Sequence, residues 1–243
     1  MLAVSTPMPA IPPRPEPVVA GFAGGTAAGE AEIGRHPRIE AFPATAQEIG
    51  FASDRGIHMQ GDPADFYCRV VSGIVRICKA TEDGRRQIAA FPGPGDLFGW
   101  AGYDRYAYAA EAVTDVVLLR WPRRAMEQAI VDDPELGRQI LAVLFRQLAD
   151  FQDHLLLVGR MQAHERIAAF LLAHGRRHAR DRRRFPLPMS RKDIADHLGL
   201  TVETVSRTMH GFVARGLITF APGRIVQIRD GEALARLADH AAG

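Results

Sequence analysis

The spacing of apolar residues changes character along the chain, and each change predicts a different element. Between Pro43 and Pro122 the apolar runs are short and end in turn residues. Phe66–Val71 stops at Ser72-Gly73, Ile74–Cys78 follows, Gln87–Phe91 runs into Pro92-Gly-Pro-Gly-Asp96, and Ala112-Val113 with Val116–Trp121 closes the series. Glu82-Asp83-Gly84 carries an Asp-Gly hairpin signal. Strands spaced this closely predict an antiparallel sandwich or barrel.

Beyond Asp132-Asp133-Pro134, which has the form of a helix start with proline in the first turn, the period lengthens. Leu141, Leu144, Leu148, Phe151, Leu155 and Val158 alternate in steps of three and four. That is a heptad seam, narrower than the stripe of a helix lying on a core. It predicts a self-association helix over 132–160 and a two-fold homodimer; the alternative is a helix packed only on its own domain. Gly159 is a candidate hinge before a further helix, Gln162–His174.

Two short helices with their caps follow. Ser190 can cap the first, with Asp193 at the capping-box position, Ile194, Ala195 and Leu198 inward, and Gly199 to end it. Thr201 can cap the second, with Val205, Phe212 and Val213 inward and Gly216 at its end. The pair predicts a helix-turn-helix. Leu217–Phe220 and Ile225–Ile228, around Pro222-Gly223-Arg224, predict a hairpin wing. On the second helix Glu203, Ser206 and Arg207 share a face near the N-terminus, the end a recognition helix presents to base edges. Arginine can bond guanine O6 and N7, glutamate can accept from cytosine N4, and serine can pair with either or touch thymine. Ser190, Arg191, Thr201, Thr204 and Arg224 are placed to hold phosphates. The competing account of Glu203 and Arg207 is a surface ion pair.

Composition and charge sharpen this picture. Of 243 residues 47% are hydrophobic and 24% charged, the balance of a globular protein. Residues 161–243 hold 14 Arg/Lys against 8 Asp/Glu, whereas residues 1–160 hold 16 against 20. A basic half joined to an acidic one fits a nucleic-acid-binding part joined to a sensing or oligomerising part. Residues 1–42, rich in Pro, Gly and Ala, are expected to form a disordered tail. No secretory signal or membrane-spanning run is legible, so a cytoplasmic location is expected. Cys68 and Cys78 are the only cysteines, too few for a disulfide framework or a four-thiolate site, and are expected to be small buried hydrophobes. The nine histidines follow no ligand spacing; His197 and His210 are expected on the helix-turn-helix surface, and no metal or cofactor is expected.

From Gly56 onward the sequence resembles the CRP/FNR superfamily of bacterial regulators, and most closely its FNR/FixK-like branch. The resemblance rests on Gly61-Asp-Pro-Ala-Asp65, Val71–Arg76, Asp83–Ile88 and Pro94–Gly99, then on Leu187–Asp196 and Gly199–Arg207. It implies an α+β fold: an N-terminal antiparallel β-roll over 43–124, a long dimerisation helix over 132–160, and a C-terminal winged helix-turn-helix over 161–243. In that branch the Glu-x-x-Ser-Arg pattern implies reading of a TTGA…TCAA inverted repeat. The resemblance further implies an activator of a FixK-like, oxygen-limitation regulon that recruits RNA polymerase, with the loop Gly175–Pro186 as a candidate contact.

The chain also departs from the family. Cyclic-nucleotide members carry a glutamate just after the Phe-x-Gly turn and an Arg-Ser pair before the next strand. Here those places fall on Trp100 and near Tyr106-Ala107, and Arg105 is the nearest cation. Without cation or carboxylate there, no cyclic AMP response is expected. Oxygen-sensing members hold an iron–sulfur cluster on four cysteines, which this chain lacks. The expected function is a DNA-binding transcription regulator, governed most simply by its own expression level. The alternative from another class is a small-molecule sensor whose winged helix binds protein instead of DNA. Nothing in the sequence supports an enzyme.

Overall fold

The computed structural model describes residues 46–81, 84–101, 104–178, 181 and 183–239. The tail assigned to 1–42 and the Glu82-Asp83 pair of the hairpin signal lie outside them.

Among the described residues eight strands come first: β1 (Gln47–Phe51), β2 (Gly56–His58), β3 (Phe66–Ser72), β4 (Val75–Ala80), β5 (Arg86–Ala90), β6 (Leu97–Phe98), β7 (Ala109–Ala112) and β8 (Val116–Pro122). They form two four-stranded antiparallel sheets, β1-β8-β3-β6 and β2-β7-β4-β5. Alternation turns Val70, Val116 and Leu118 from one sheet onto Val75, Ala110 and Ala112 from the other. Each such buried valine or leucine side chain stabilises the fold by about 1.5–3 kcal/mol relative to exposure, and the alanines by less. Gly73, between β3 and β4, needs φ +85°, and a Cβ there would lie 2.2 Å from the Asp115 carbonyl oxygen.

The outer face of the first sheet is closed by helices. α1 (Arg123–Asp132) follows β8 directly, and α2 (Pro134–Arg160) follows α1. The Asp133 carboxylate accepts from the amides of Glu135 and Leu136, with Pro134 opening α2 as the sequence predicts. Leu136, Ile140 and Val143 bury against Tyr67, Leu97, Trp121 and Met126, and the Gln147 amide donates to the Leu97 carbonyl at 2.8 Å. α2 does not break at Gly159; it ends at Arg160, where Met161 turns extended (ψ 149°). Helical φ/ψ costs glycine only entropy, so the break between α2 and the next helix falls at Met161, two residues later than expected.

The C-terminal part comprises α3 (Ala163–His178), β9 (Arg184–Pro186), α4 (Arg191–Leu198), α5 (Val202–Ala214), β10 (Ile218–Ala221), β11 (Ile225–Ile228) and α6 (Gly231–Asp239). The segment Gly175–Pro186, expected as a loop, instead begins as the last turn of α3 and ends as β9, which pairs with β11. The wing is therefore a three-stranded sheet, β10-β11-β9.

One apolar cluster joins the two parts. Ile74, Cys78, Ile88, Phe91 and Ala109 of the strand region share it with Ile167, Leu171, Ile194, Leu198, Val205 and Phe212 of the helical region.

Candidate nucleic-acid interface

The candidate reading helix is built by local chemistry. The Ser190 hydroxyl accepts from the Asp193 amide at 3.0 Å, and the Asp193 carboxylate accepts from the Ser190 amide at 3.1 Å, which completes the capping box of α4. Gly199 ends α4 in the left-handed region (φ 63°). The Thr201 hydroxyl then accepts from the Thr204 amide at 3.2 Å and starts α5. Gly216 is left-handed past its end.

Ile194, Ala195, Leu198, Val205 and Phe212 are buried, as expected. Val213 is not: it is 38% exposed, and Met209 is buried in its place. From Val205, positions 209 and 212 stay within about 40° of one helix face, whereas 213 turns to its edge.

Glu203 and Arg207 are exposed and Ser206 is half-buried at the N-terminal end of α5. The Glu203 carboxyl lies below its ordinary range, chiefly because its own backbone amide and the Thr201 hydroxyl bond it; Arg207 is a smaller influence. The arrangement leaves an anionic acceptor, a hydroxyl and a guanidinium pointing away from the core on successive turns.

The five residues expected at phosphates differ in what they have left to offer. The Ser190 hydroxyl donates to Asp193 at 2.7 Å and Thr201 is committed to the α5 cap, so both chiefly shape the helix starts. Arg191 is half-buried, its guanidinium lying 4.9 Å from the Phe220 ring centroid and against the Met209 sulfur, with burial lowering its pKa. Arg224, left-handed at φ 57°, reaches the Pro188 carbonyl at 2.7 Å from the exposed tip of the wing. Thr204 is half-buried beside Thr201.

The seam residues divide. Leu141, Leu148, Phe151 and Leu155 are 45–56% exposed, Leu144 packs partly on the strand region, and Val158 is half-buried. Phe145 and Leu156, which the heptad count passed over, are also exposed, at 63% and 62%. No helix is long and apolar enough to cross a membrane among the described residues.

In the strand region Trp100 tilts on Tyr67 with ring centroids 4.9 Å apart, facing the helices, and the Arg105 guanidinium donates to the Gly61 carbonyl at 2.7 Å. The Tyr106 ring stacks on His58 at 3.7 Å. Both His58 nitrogens are buried, and Trp100 Nε1 is buried without a hydrogen-bond partner among the described residues. Burial pushes the His58 imidazole down to about 4. Cys68 and Cys78 are buried, as expected, and burial pushes their thiols up to about 12 and about 11.

His210 is exposed as expected, but His197 is not on a DNA-facing surface. Its Nδ1 lies 3.0 Å from the Ile88 carbonyl, its ring stacks on His154 of α2 at 4.3 Å, and burial pushes it down to about 4. The residues around it, Arg76, Arg86, Asp193 and Asp196, form ion pairs between the strand region and α4. The motif Asp83–Ile88 contains Arg86, yet no local pattern tells that its partner lies 107 residues away.

A double-sheeted roll, a long helix with a bare apolar flank and a winged helix-turn-helix together define a two-part helix-turn-helix regulator. Residues 50–133 match a model of the cyclic nucleotide-binding domain, and residues 165–237 a model of the Crp-like helix-turn-helix domain. The nitrogen fixation regulation protein FixK of Azorhizobium caulinodans is 46% identical over 191 residues, covering 77% of each chain. The transcriptional activator protein FnrL of Cereibacter sphaeroides is 33% identical over 209 residues, covering 82% of this chain and 83% of that protein. The structure of FixK2 from Bradyrhizobium japonicum superposes with TM-score 0.75 at 40% identity, covering 79% of this chain and 96% of that one. The chain belongs to the CRP/FNR family, in its FixK-like branch.

Proposed function

We propose that the chain is a cytoplasmic, sequence-specific DNA-binding transcription activator that reads a TTGA…TCAA-type inverted repeat as a homodimer. The observation carrying this is the outward face of Glu203, Ser206 and Arg207 on a doubly capped helix, within a module that matches the Crp-like helix-turn-helix family. Arg207 reads guanine, Glu203 accepts from cytosine, and Ser206 contacts a neighbouring base. Arg191, Thr204 and Arg224 hold phosphates, with Ser190 and Thr201 shaping the helix starts that face them. Names of the similar proteins, a nitrogen fixation regulator and a transcriptional activator, support the activator reading.

The exposed flank of α2 supports the homodimer. Contiguous apolar surface of this kind marks an interface, and Leu141, Leu148, Phe151 and Leu155, with Leu144 and Val158 at its edges, form the seam. The functional division follows: roll over 43–124, dimer helix over 132–160, DNA-binding part over 161–243. RNA polymerase is the further partner, approached through the arginines of 175–186. No cyclic AMP response is assigned, because Trp100 faces the helices and Tyr106 is committed to His58; tight cyclic AMP binding by calorimetry would overturn that.

The test is a footprint of the full chain on TTGA…TCAA DNA with no ligand, with and without oxygen. Protection of both half-sites in both conditions is expected. Protection that vanishes on scrambling the repeat, and that Arg207→Ala weakens on the repeat more than on scrambled DNA, supports the base-reading role; a wild-type chain that never protects the repeat refutes it.

A further inference from the structure

Asp193 is the third residue of α4, and its two carboxylate oxygens face different ways. Oδ2 accepts from the Ser190 amide and hydroxyl and closes the capping box. Oδ1 faces the strand region, where Arg86 Nη2 lies at 2.6 Å and Arg76 Nη1 at 3.5 Å. Arg86 also grips Asp196, one turn further along α4, through Nε at 3.0 Å and Nη2 at 2.9 Å. Behind it, Arg76 Nε is anchored 2.6 Å from Glu111 Oε2. The joint continues with His197 on the Ile88 carbonyl and the Gln87 amide 3.4 Å from the His197 carbonyl.

This is unlike an ordinary surface ion pair, which contributes little. The Asp193 side chain is 5% exposed, Asp196 16% and Arg86 25%. Forked charge-assisted bonds at that depth are directional, and removing one partner strands the other's charge. Burial alone would raise the Asp193 carboxyl, but Ser190 and the two guanidiniums outweigh it and hold the pKa below its ordinary value.

We propose that Arg86, backed by Arg76, is a positioning residue for DNA reading, fixing the orientation of the helix-turn-helix on the β-roll by gripping α4 through Asp193 and Asp196. The inference rests on the DNA-reading role proposed above. Leu200 and Thr201 alone separate the Gly199 cap of α4 from α5, so a tilt of α4 is carried to Glu203, Ser206 and Arg207. On an inverted repeat two reading helices must meet grooves roughly 34 Å apart, which leaves little angular tolerance. A clamp made of side chains supplies that orientation before DNA arrives, which lowers the ordering cost of binding.

Nitroxide labels at the exposed Glu48 and Ala214 of one full-length chain, diluted with unlabelled chain, report the orientation by pulsed electron resonance without DNA and without label pairs between protomers. A narrow distance distribution is expected for wild type, a broad one for Arg86→Ala, and intermediate widths for Arg86→Lys and Asp196→Asn; the two milder variants keep the test open if Arg86→Ala fails to fold. On DNA, Arg86→Ala is expected to lose about 5- to 150-fold on the correctly spaced repeat, the usual range for coupled sites, and to discriminate less against a lengthened spacer. Loss of folded protein alone lowers binding at every spacing equally. Unchanged distance distributions in all three variants, or equal loss at every spacing, would overturn the proposal. Broadened distributions in a chain whose wild type never binds the repeat would support the clamp and retire the base-reading assignment instead.

Discussion

At the scale of single residues, the site separates groups that face outward from groups neutralised by burial. Arg207→Ala is expected to cost about 1–3 kcal/mol of binding and to relax discrimination at the guanine; equal loss on specific and random DNA in a titration would make Arg207 a phosphate contact. His58 gives a pH prediction. Its folded pKa of about 4 lies below the ordinary 6.5, so the unfolded chain binds the proton first. The stability it contributes is complete above pH 6.5, falls through the interval to about 4, and amounts to roughly 3 kcal/mol at full extent. His197, lowered to about 4 by burial beside His154, acts in the same direction. Urea midpoints measured from pH 7 to 4 are expected to fall less steeply in His58→Phe than in wild type; parallel curves would refute this. The caps Ser190 and Thr201 were legible in the sequence because their chemistry is local, spanning three residues or fewer. The inward place of His197 was not, because its bond to Ile88 joins positions 109 apart.

At the scale of elements, α2 carries two faces that one heptad count could not separate. Leu136, Ile140 and Val143 lie on the roll while Leu148 and its neighbours stay bare, and Leu144 sits on the border between the faces. Leu148→Asp is expected to leave the roll folded and halve the sedimenting mass; an unchanged sedimentation coefficient would refute the seam. The β3–β4 turn is less forgiving. Gly73→Ala places a methyl against the Asp115 carbonyl and forces a left-handed alanine. The conformation alone costs roughly 1–3 kcal/mol, so a melting point lowered by several degrees is expected, and an unchanged one would show that the turn relaxes freely. β3, β4, β5 and β8 were legible from runs bounded by turn residues, whereas β1, β2 and β6 fell outside those runs. β9 was hidden, since three residues ending in proline carry no alternation and become a strand only by pairing with β11.

At the scale of the whole molecule, the asymmetry of charge between the two halves sets how binding responds to salt. Affinity for DNA is expected to fall linearly on a logarithmic plot against salt concentration, with a slope set by the number of phosphates neutralised. Arg224→Ala is expected to flatten that slope by roughly 1 while leaving base preference intact. A slope near zero in wild type would favour the protein-binding alternative for the wing. The two-part architecture was legible from the change of hydrophobic period. The joint between the parts was not, because it depends on side chains brought together only once both have folded.

The apolar cluster shared by the strand region and the helical region bears on how the molecule comes apart. Phe91 meets Phe170 and His197 edge-on, and Ile88 is fully buried in the same cluster as Ile194 and Leu198. Neither region can melt without wetting part of the other's interior. Heating is therefore expected to give a single calorimetric transition for both regions, and an isolated 161–243 fragment is expected to be less stable than the same residues within the chain.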